Sequence, residues 1–510
     1  MTNHRSIQRA GLGLRRCAPL LAAATTLALG SCGEIDQGAQ GQSSELATEN
    51  DTNAFGTLEV FSSTGNIDRG NPFFQNLGAN GRTCNSCHLL RDGLGINTGA
   101  INSIFNNTNG FDPLFRTNDG SNAPTGFYSN TSSLSARRTS FSMLLNHGTI
   151  RVGIGMPANA DFTSVSIQDP YRFASTNEFS LFRRPLPSVN VAFNTLVMWD
   201  GRESEGRPAV RDALKNQAND ATQGHAQRAT PLDDATRSAI ADFQLQLFAG
   251  QVSSSVGNPA VGSLTVAGCT TSASEDDPGP CKVAHGGGRG LFNVLNMGNE
   301  DFPAFTPGIN DSFLPSFNNV SFIVFEPWES PTLGTAPTIN GQPVNPTITI
   351  NRGEIGDGEN LFYTKDINIT GVAGLNDVLG QTVVKGHCTT CHNTPDVGNH
   401  SLPRFFNIGI ADVTGNPLFR SDYPIYTFRR NSDLAQVTVS DPGLALRTGQ
   451  FADIGKFKVP QLRALGNRAP YFHNGQANTL QDVLNFYNQR FNIGFTAEEM
   501  RKIIVFLNQT

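Results

Sequence analysis

The chain has 510 residues, enough for two or three domains, and a formal net charge of −6 with 16% charged side chains. It shows no basic tract, which argues against nucleic acid as a partner, and its wealth of Asn, Gly, Ser and Thr suits a loop-rich protein made for an extracytoplasmic compartment. No internal repeat is apparent apart from one short motif that occurs twice.

Residues 1–31 carry Arg5, Arg9, Arg15 and Arg16, then an apolar run from Ala18 to Leu29 and small residues. That is a secretory signal, too short and wrongly flanked for a membrane-spanning helix. Its removal takes the net charge from −6 to −10, because the segment holds four Arg and no acid. The run ends Leu29-Gly30-Ser31-Cys32, which resembles the bacterial lipobox. The resemblance implies a lipid on Cys32, and Gly33 in place of Asp implies the outer membrane. The alternative is a plain signal peptide with a free Cys32, a liability outside the cytoplasm. Cys17 lies inside the removed segment. Residues 32–55 are small and polar and predict a flexible tether.

Cys84-Asn85-Ser86-Cys87-His88 follows, and Cys388-Thr389-Thr390-Cys391-His392 repeats the pattern. Two thiols at i and i+3 can each bond one haem vinyl group, and the next residue puts an imidazole on the iron. Zinc wants four ligands, and each copy offers three. A redox Cys pair needs no His there. Two copies in an exported chain predict two covalently bound haem c groups.

Between the motifs, residues 95–180 show little helical periodicity and predict a loop-dominated insertion. Helices are expected at Pro208–Ala218, with Pro208 near the start, and at Ala235–Phe248, where Ile240, Phe243 and Leu247 share a face. Residues 250–350 are rich in Gly, Pro and Thr. They hold Cys269 and Cys281, which after the haem thiols, Cys17 and Cys32 are the remaining cysteines and read as a disulfide. The run Gly286–Gly290 lacks the flanking strand and Lys-Ser/Thr of a phosphate loop and reads as a turn. The second haem unit begins near Arg352. Two helices close the chain, with capping signatures Thr479/Asp482 and Thr496/Glu499. Leu480, Val483, Leu484 and Tyr487 share one face, as do Met500, Ile503, Ile504 and Leu507. The domains expected are 56–345, an N-terminal haem domain with long loop insertions, and 346–510, a C-terminal one.

Three further stretches carry a resemblance. They are Arg184-Pro185-Leu186-Pro187-Ser188-Val189-Asn190 leading to Met198-Trp199-Asp200-Gly201-Arg202; Cys391-His392-Asn393-Thr394-Pro395; and Phe457-Lys458-Val459-Pro460-Gln461-Leu462-Arg463 followed by Pro470-Tyr471-Phe472-His473-Asn474-Gly475. With the first haem motif they resemble the bacterial di-haem cytochrome c peroxidase family, including its MauG-type branch. The resemblance implies a mainly α fold with long irregular loops and two cytochrome c-like haem domains. It makes the His88 haem peroxide-reactive and the His392 haem the electron-handling one, with Trp199 as a relay between them. Simpler members place a Met fourteen residues after the His of the Pro-Tyr-x-His stretch; MauG-type members place a Tyr, here Tyr487. A phenolate is a hard donor that stabilises oxidised iron, whereas a thioether favours ferrous iron. Met500 is the competing ligand. His473 is assigned to the haem environment and proton handling.

Peroxide cleavage needs a distal acid/base. The family's Gln maps to Gln217, and its Glu ten residues on falls at Gln227, which cannot shuttle a proton. Nearby His225 has the right chemistry. Family members bind calcium between the haems through an Asn side chain and carbonyls. The Asn position falls near Pro185 and Arg468 stands where Thr is usual, which leaves calcium doubtful. His147, His285, His387 and His400 are read as structural.

The resemblance implies a peroxidase that reduces hydrogen peroxide through a high-valent iron state shared between the two haems. Its electron donor is unidentified, a small cytochrome or cupredoxin being compatible. Alternatives are MauG-like oxidation of a protein or organic substrate, a relative of the di-haem rubber oxygenases, and a non-enzymatic lipid-anchored electron carrier. The expected site is the periplasmic side of the envelope.

Overall fold

The computed structural model describes residues 48–255 (without 125, 127 and 208), 262–263, 308, 310–321, 324–325, 328–329, 338–339, 342–343, 346–394 and 398–510. The export segment, Cys32, the Cys269/Cys281 pair, His285, Gly286–Gly290 and Pro395 lie outside them.

The end of the expected tether is a strand. Thr48–Asn53 (β1) runs antiparallel to Gly56–Ser62 (β2), ahead of the first motif. Its polar sequence hid it, because an edge strand needs no apolar face of its own. The region 95–180 is likewise more regular than its composition suggests. It forms helices Thr98–Thr108 (α1), Leu134–Ser140 (α2) and Ser142–His147 (α3), then strands Ile150–Ile154 (β3), Phe162–Gln168 (β4) and Phe179–Arg183 (β5). α1 starts where the Asn97 side chain accepts from the Ala100 amide, and it buries Ala100, Ile101 and Phe105. Tertiary packing overrides its weak, Asn-rich propensity.

The helix expected near 208 runs Val210–Gly224 (α4); Pro208 lies outside the described residues. The next, Asp234–Leu245 (α5), stops earlier than expected. Leu247–Ser254 (β6) pairs with β2, so Leu247 is buried from a strand and not from a helix face. Gly262–Ser263 (β7) extends that sheet to the order β1-β2-β6-β7.

The second half opens with Pro346–Thr364 (α6), then Ile367–Thr370 (β8) paired with Val383–Gly386 (β9). Ile425–Arg430 (β10) pairs on one side with Gln436–Val439 (β11) and on the other with β4, so one small sheet joins the two halves of the chain. The closing helices are Leu480–Phe491 (α7) and Ala497–Leu507 (α8), each with the capping box expected at Thr479/Asp482 and Thr496/Glu499. α8 packs closely on α6. A Cβ on Gly358 would lie 2.1 Å from the Lys502 carbonyl, so only glycine permits the contact. Ile355, Ile503 and Phe506 are fully buried around it. Each such side chain contributes roughly 1.5–3 kcal/mol relative to exposure.

Ten helices and several small antiparallel sheets share the described residues, so the architecture is mixed where a mainly α one was expected. No described helix is long and apolar enough to cross a membrane.

Candidate active site

Each Cys-x-x-Cys-His motif folds as one tight turn, Cys84–Ser86 and Cys388–Thr390, which brings both thiols and the following His to one cavity. Burial pushes Cys84 up to about 12 and Cys87 to about 11. It pushes Cys388 and Cys391 to about 12. A redox pair works through a depressed thiol, the opposite of this shift.

The His88 Nδ1 lies 3.0 Å from the Leu94 carbonyl and 3.2 Å from the Ser188 hydroxyl. The His392 Nδ1 lies 2.6 Å from the Gly398 carbonyl. A carbonyl only accepts, so Nδ1 carries the proton and Nε2 is left as a ligand atom. Burial holds both rings neutral, at about 4. Half-buried cysteines and oriented imidazoles facing a cavity together fit a covalent haem at each motif.

The His88 cavity, of about 610 Å³, is also lined by Gln217, His225, Asp119, Arg82 and Glu203. α4 places Gln217, Ala221 and His225 on one face at successive intervals of four. The Nδ1 of His225 meets the Asp119 carboxylate, which the Arg82 guanidinium holds from the other side. Arg82 is fixed in turn by the carbonyls of Pro113 and Leu114, each at 2.8 Å. Burial opposes ionisation of Asp119, but His225 and Arg82 outweigh it and hold the carboxyl below its usual range. Orienting Nδ1 on a carboxylate frees Nε2 for chemistry in the cavity. Glu203 is buried, hydrogen-bonded by Asn216, and raised in pKa by that burial. Gln227 is exposed, at φ 57°, beyond the end of α4, and does not line the cavity.

The His392 cavity, of about 230 Å³, is apolar. Leu480, Val483, Leu484 and Tyr487 line it, so the predicted stripe of α7 faces a cavity and not only core. Tyr487 is stacked on Phe491 at 6.2 Å and 13°. Burial, then Cys391 and Cys388, pushes its phenol above the usual range. Met500 lies away from the cavity, its sulfur 3.4 Å from the Gln481 amide. His387 borders the cavity with Nε2 3.5 Å from Asp366. His400 packs on Phe406 at 4.9 Å, and His147 bonds Asp422 at 2.8 Å.

Trp199 lines both cavities. Its Nε1 donates to the Arg184 carbonyl at 2.8 Å, and its ring meets His473 edge-on at 6.1 Å. His473 stacks on Phe457 at 3.8 Å and is held neutral by burial, at about 3. The turn after Trp199 needs glycine: Gly201 has φ 69°, and a Cβ would lie 2.4 Å from the Phe405 ring. Asp200, between Trp199 and Gly201, accepts from Arg183 Nη1 at 2.6 Å, while Asp441 accepts from Arg183 Nε and Nη2 at 2.7 and 2.9 Å. All three are buried. Arg183→Met should therefore destabilise the protein by about 3–5 kcal/mol, because it strands two buried carboxylates; chemical denaturation of the holoprotein measures it. Burial opposes ionisation of Asp200, yet Arg183 and Arg202 bring it down to about 2. Its contribution is complete above about pH 4, the unfolded value, and is lost as the pH falls toward 2.

The positions that the resemblance gives to calcium offer few oxygens. Pro185 offers no side-chain oxygen, and the Arg468 carbonyl already accepts from Arg184 Nη2 at 2.9 Å. The same guanidinium takes the Ile96 carbonyl at 2.6 Å and the His147 carbonyl at 3.2 Å.

No protein-family model matches the chain. Among curated proteins it is 32% identical over 127 residues to the cytochrome-c peroxidase IdrP1 of Pseudomonas sp. (strain SCT), covering 23% of this chain and 32% of that one. It is 34% identical over 143 residues to IdrP2 of Denitromonas iodatirespirans, covering 24% and 35%. It is 31% identical over 134 residues to the cytochrome c551 peroxidase of Nitrosomonas europaea, covering 26% and 33%. The matched part spans about a third of each relative's length. Over about a quarter of its length the chain is similar to bacterial cytochrome-c peroxidases.

Proposed function

We propose that the chain is a di-haem c-type peroxidase that reduces hydrogen peroxide. One haem is attached at Cys84 and Cys87 with His88 as ligand, the other at Cys388 and Cys391 with His392 and Tyr487 as ligands. The observation that carries the reading is the pair of cavities, each with an oriented His beside half-buried cysteines, meeting at Trp199. Two electrons and two protons turn each peroxide into two waters, and haem iron supplies the redox chemistry. His225 takes the proton from the attacking oxygen and returns it to the leaving one, Asp119 holding its tautomer. Trp199, an oxidisable indole, relays charge between the cavities. Residues 1–31 export the chain and Cys32 anchors it, and a small soluble donor returns the electrons.

A second reading, oxidation of an organic or protein substrate, is favoured by Tyr487 standing in the cavity where a softer Met would suit simple electron delivery.

Mass spectrometry of the denatured mature protein should show two retained haems. Cys84→Ala with Cys87→Ala should remove one, and Cys388→Ala with Cys391→Ala the other. A single haem, or bound zinc, would overturn the proposal.

A further inference from the structure

Arg184, Lys458 and Arg468 are buried side by side without an ion pair among the described residues. Neighbouring Arg183 is balanced by Asp200 and Asp441; these three are not. The carboxylate that acts on Arg184 is Asp92, itself raised by burial to about 7. Burial lowers all three cations, Arg184 to about 10, Arg468 to about 9 and Lys458 to about 7. The donors of Arg184 are taken by backbone carbonyls. Arg468 spends Nη2 on the Gln461 carbonyl at 2.9 Å, and its Nε has no partner. Lys458 has three donors and one hydrogen bond, to the Leu196 carbonyl at 3.3 Å. A buried cation left so costs several kcal/mol unless an anion joins it.

The anion has to come from what fills the cavities. Arg184, Pro185, Leu186, Pro187, Trp199 and Lys458 line both, whereas each cysteine pair lines only one. Haem c carries its thioether links on one edge and its two carboxylates on the opposite edge. A haem tied down at either cysteine pair therefore sends its carboxylates away from that pair. We propose that Lys458 is a carboxylate anchor common to both haems, with Arg468, which lines only the His392 cavity, as a second anchor for that haem. The inference rests on the two-haem reading above.

A fixed positive charge beside a haem favours its ferrous form. Lys458→Met removes the charge and keeps the length of the side chain, and retention of two haems establishes that the variant has matured and folded. The test is an optical redox titration of the full-length holoprotein, after its haems have been counted by mass. Lys458→Met should retain two haems and shift both reduction equilibria toward ferric about tenfold, which is 59 mV for one electron. Lys458→Arg should restore both to within about twofold. Arg468→Met should shift the His392 haem alone. Two attached haems with unchanged equilibria in Lys458→Met would refute the anchor and leave the two-haem reading standing. A shift of one haem only would refute the shared role. A wild-type protein without two haems defeats the two-haem reading itself.

Discussion

Replacing His225 by alanine should slow the reaction with hydrogen peroxide by about 10²–10⁴-fold, the usual contribution of a positioned acid/base. Both haems should stay attached, because His225 stands at the end of α4 and touches neither cysteine pair. The case for it is its setting more than its residue type. Its Nδ1 is committed to Asp119, Asp119 to Arg82, and Arg82 to the carbonyls of Pro113 and Leu114. Asp119→Asn should reproduce a large share of the loss, since an amide can hold the wrong tautomer. Gln227→Ala should leave the rate unchanged, that side chain being exposed. Stopped-flow mixing with peroxide reads all three. A normal rate in His225→Ala together with a slow Glu203→Gln would transfer the role to Glu203, a buried carboxyl of the cavity.

Tyr487 sets the second large effect. With a phenolate on the His392 haem, the oxidised resting protein should react with peroxide directly. Tyr487→Met should make that reaction depend on prior reduction, because a thioether favours ferrous iron. Tyr487→Phe should change the visible spectrum with both haems retained. Trp199→Phe should leave the resting spectrum nearly unchanged and slow the sharing of charge, since phenylalanine is much harder to oxidise than tryptophan. Wild-type protein inert until reduced, or a Tyr487→Phe spectrum identical to wild type, would exclude the phenolate and leave the simpler peroxidase arrangement.

The parts of the site legible in the sequence are those whose chemistry is local. Cys84 to His88 and Cys388 to His392 declare themselves because attachment fixes the spacing within five residues. The caps of α7 and α8 do so because a capping box spans four. Gln227 illustrates the limit: a count of ten from Gln217 assumes a continuing helix, and α4 ends at Gly224 with a left-handed residue soon after. Asp119 and Arg82 carried no signal, for they reach His225 from 106 and 143 residues away. Glu203 had one, an acid directly after the Trp-Asp-Gly-Arg stretch. The helices of 95–180 and strand β1 were hidden because asparagine and threonine fold there by packing and pairing, and not by an apolar period of their own.

The sheet that joins β4 to β10 has a bearing on how the protein matures. Its partners are about 260 residues apart, a separation that makes pairing slow and late. Lys458 also reaches the His88 cavity from the far end of the chain. On the exported, two-haem reading proposed above, Cys84 and Cys87 would emerge long before the residues that wall their cavity, so haem attachment would precede the closing of the sheet.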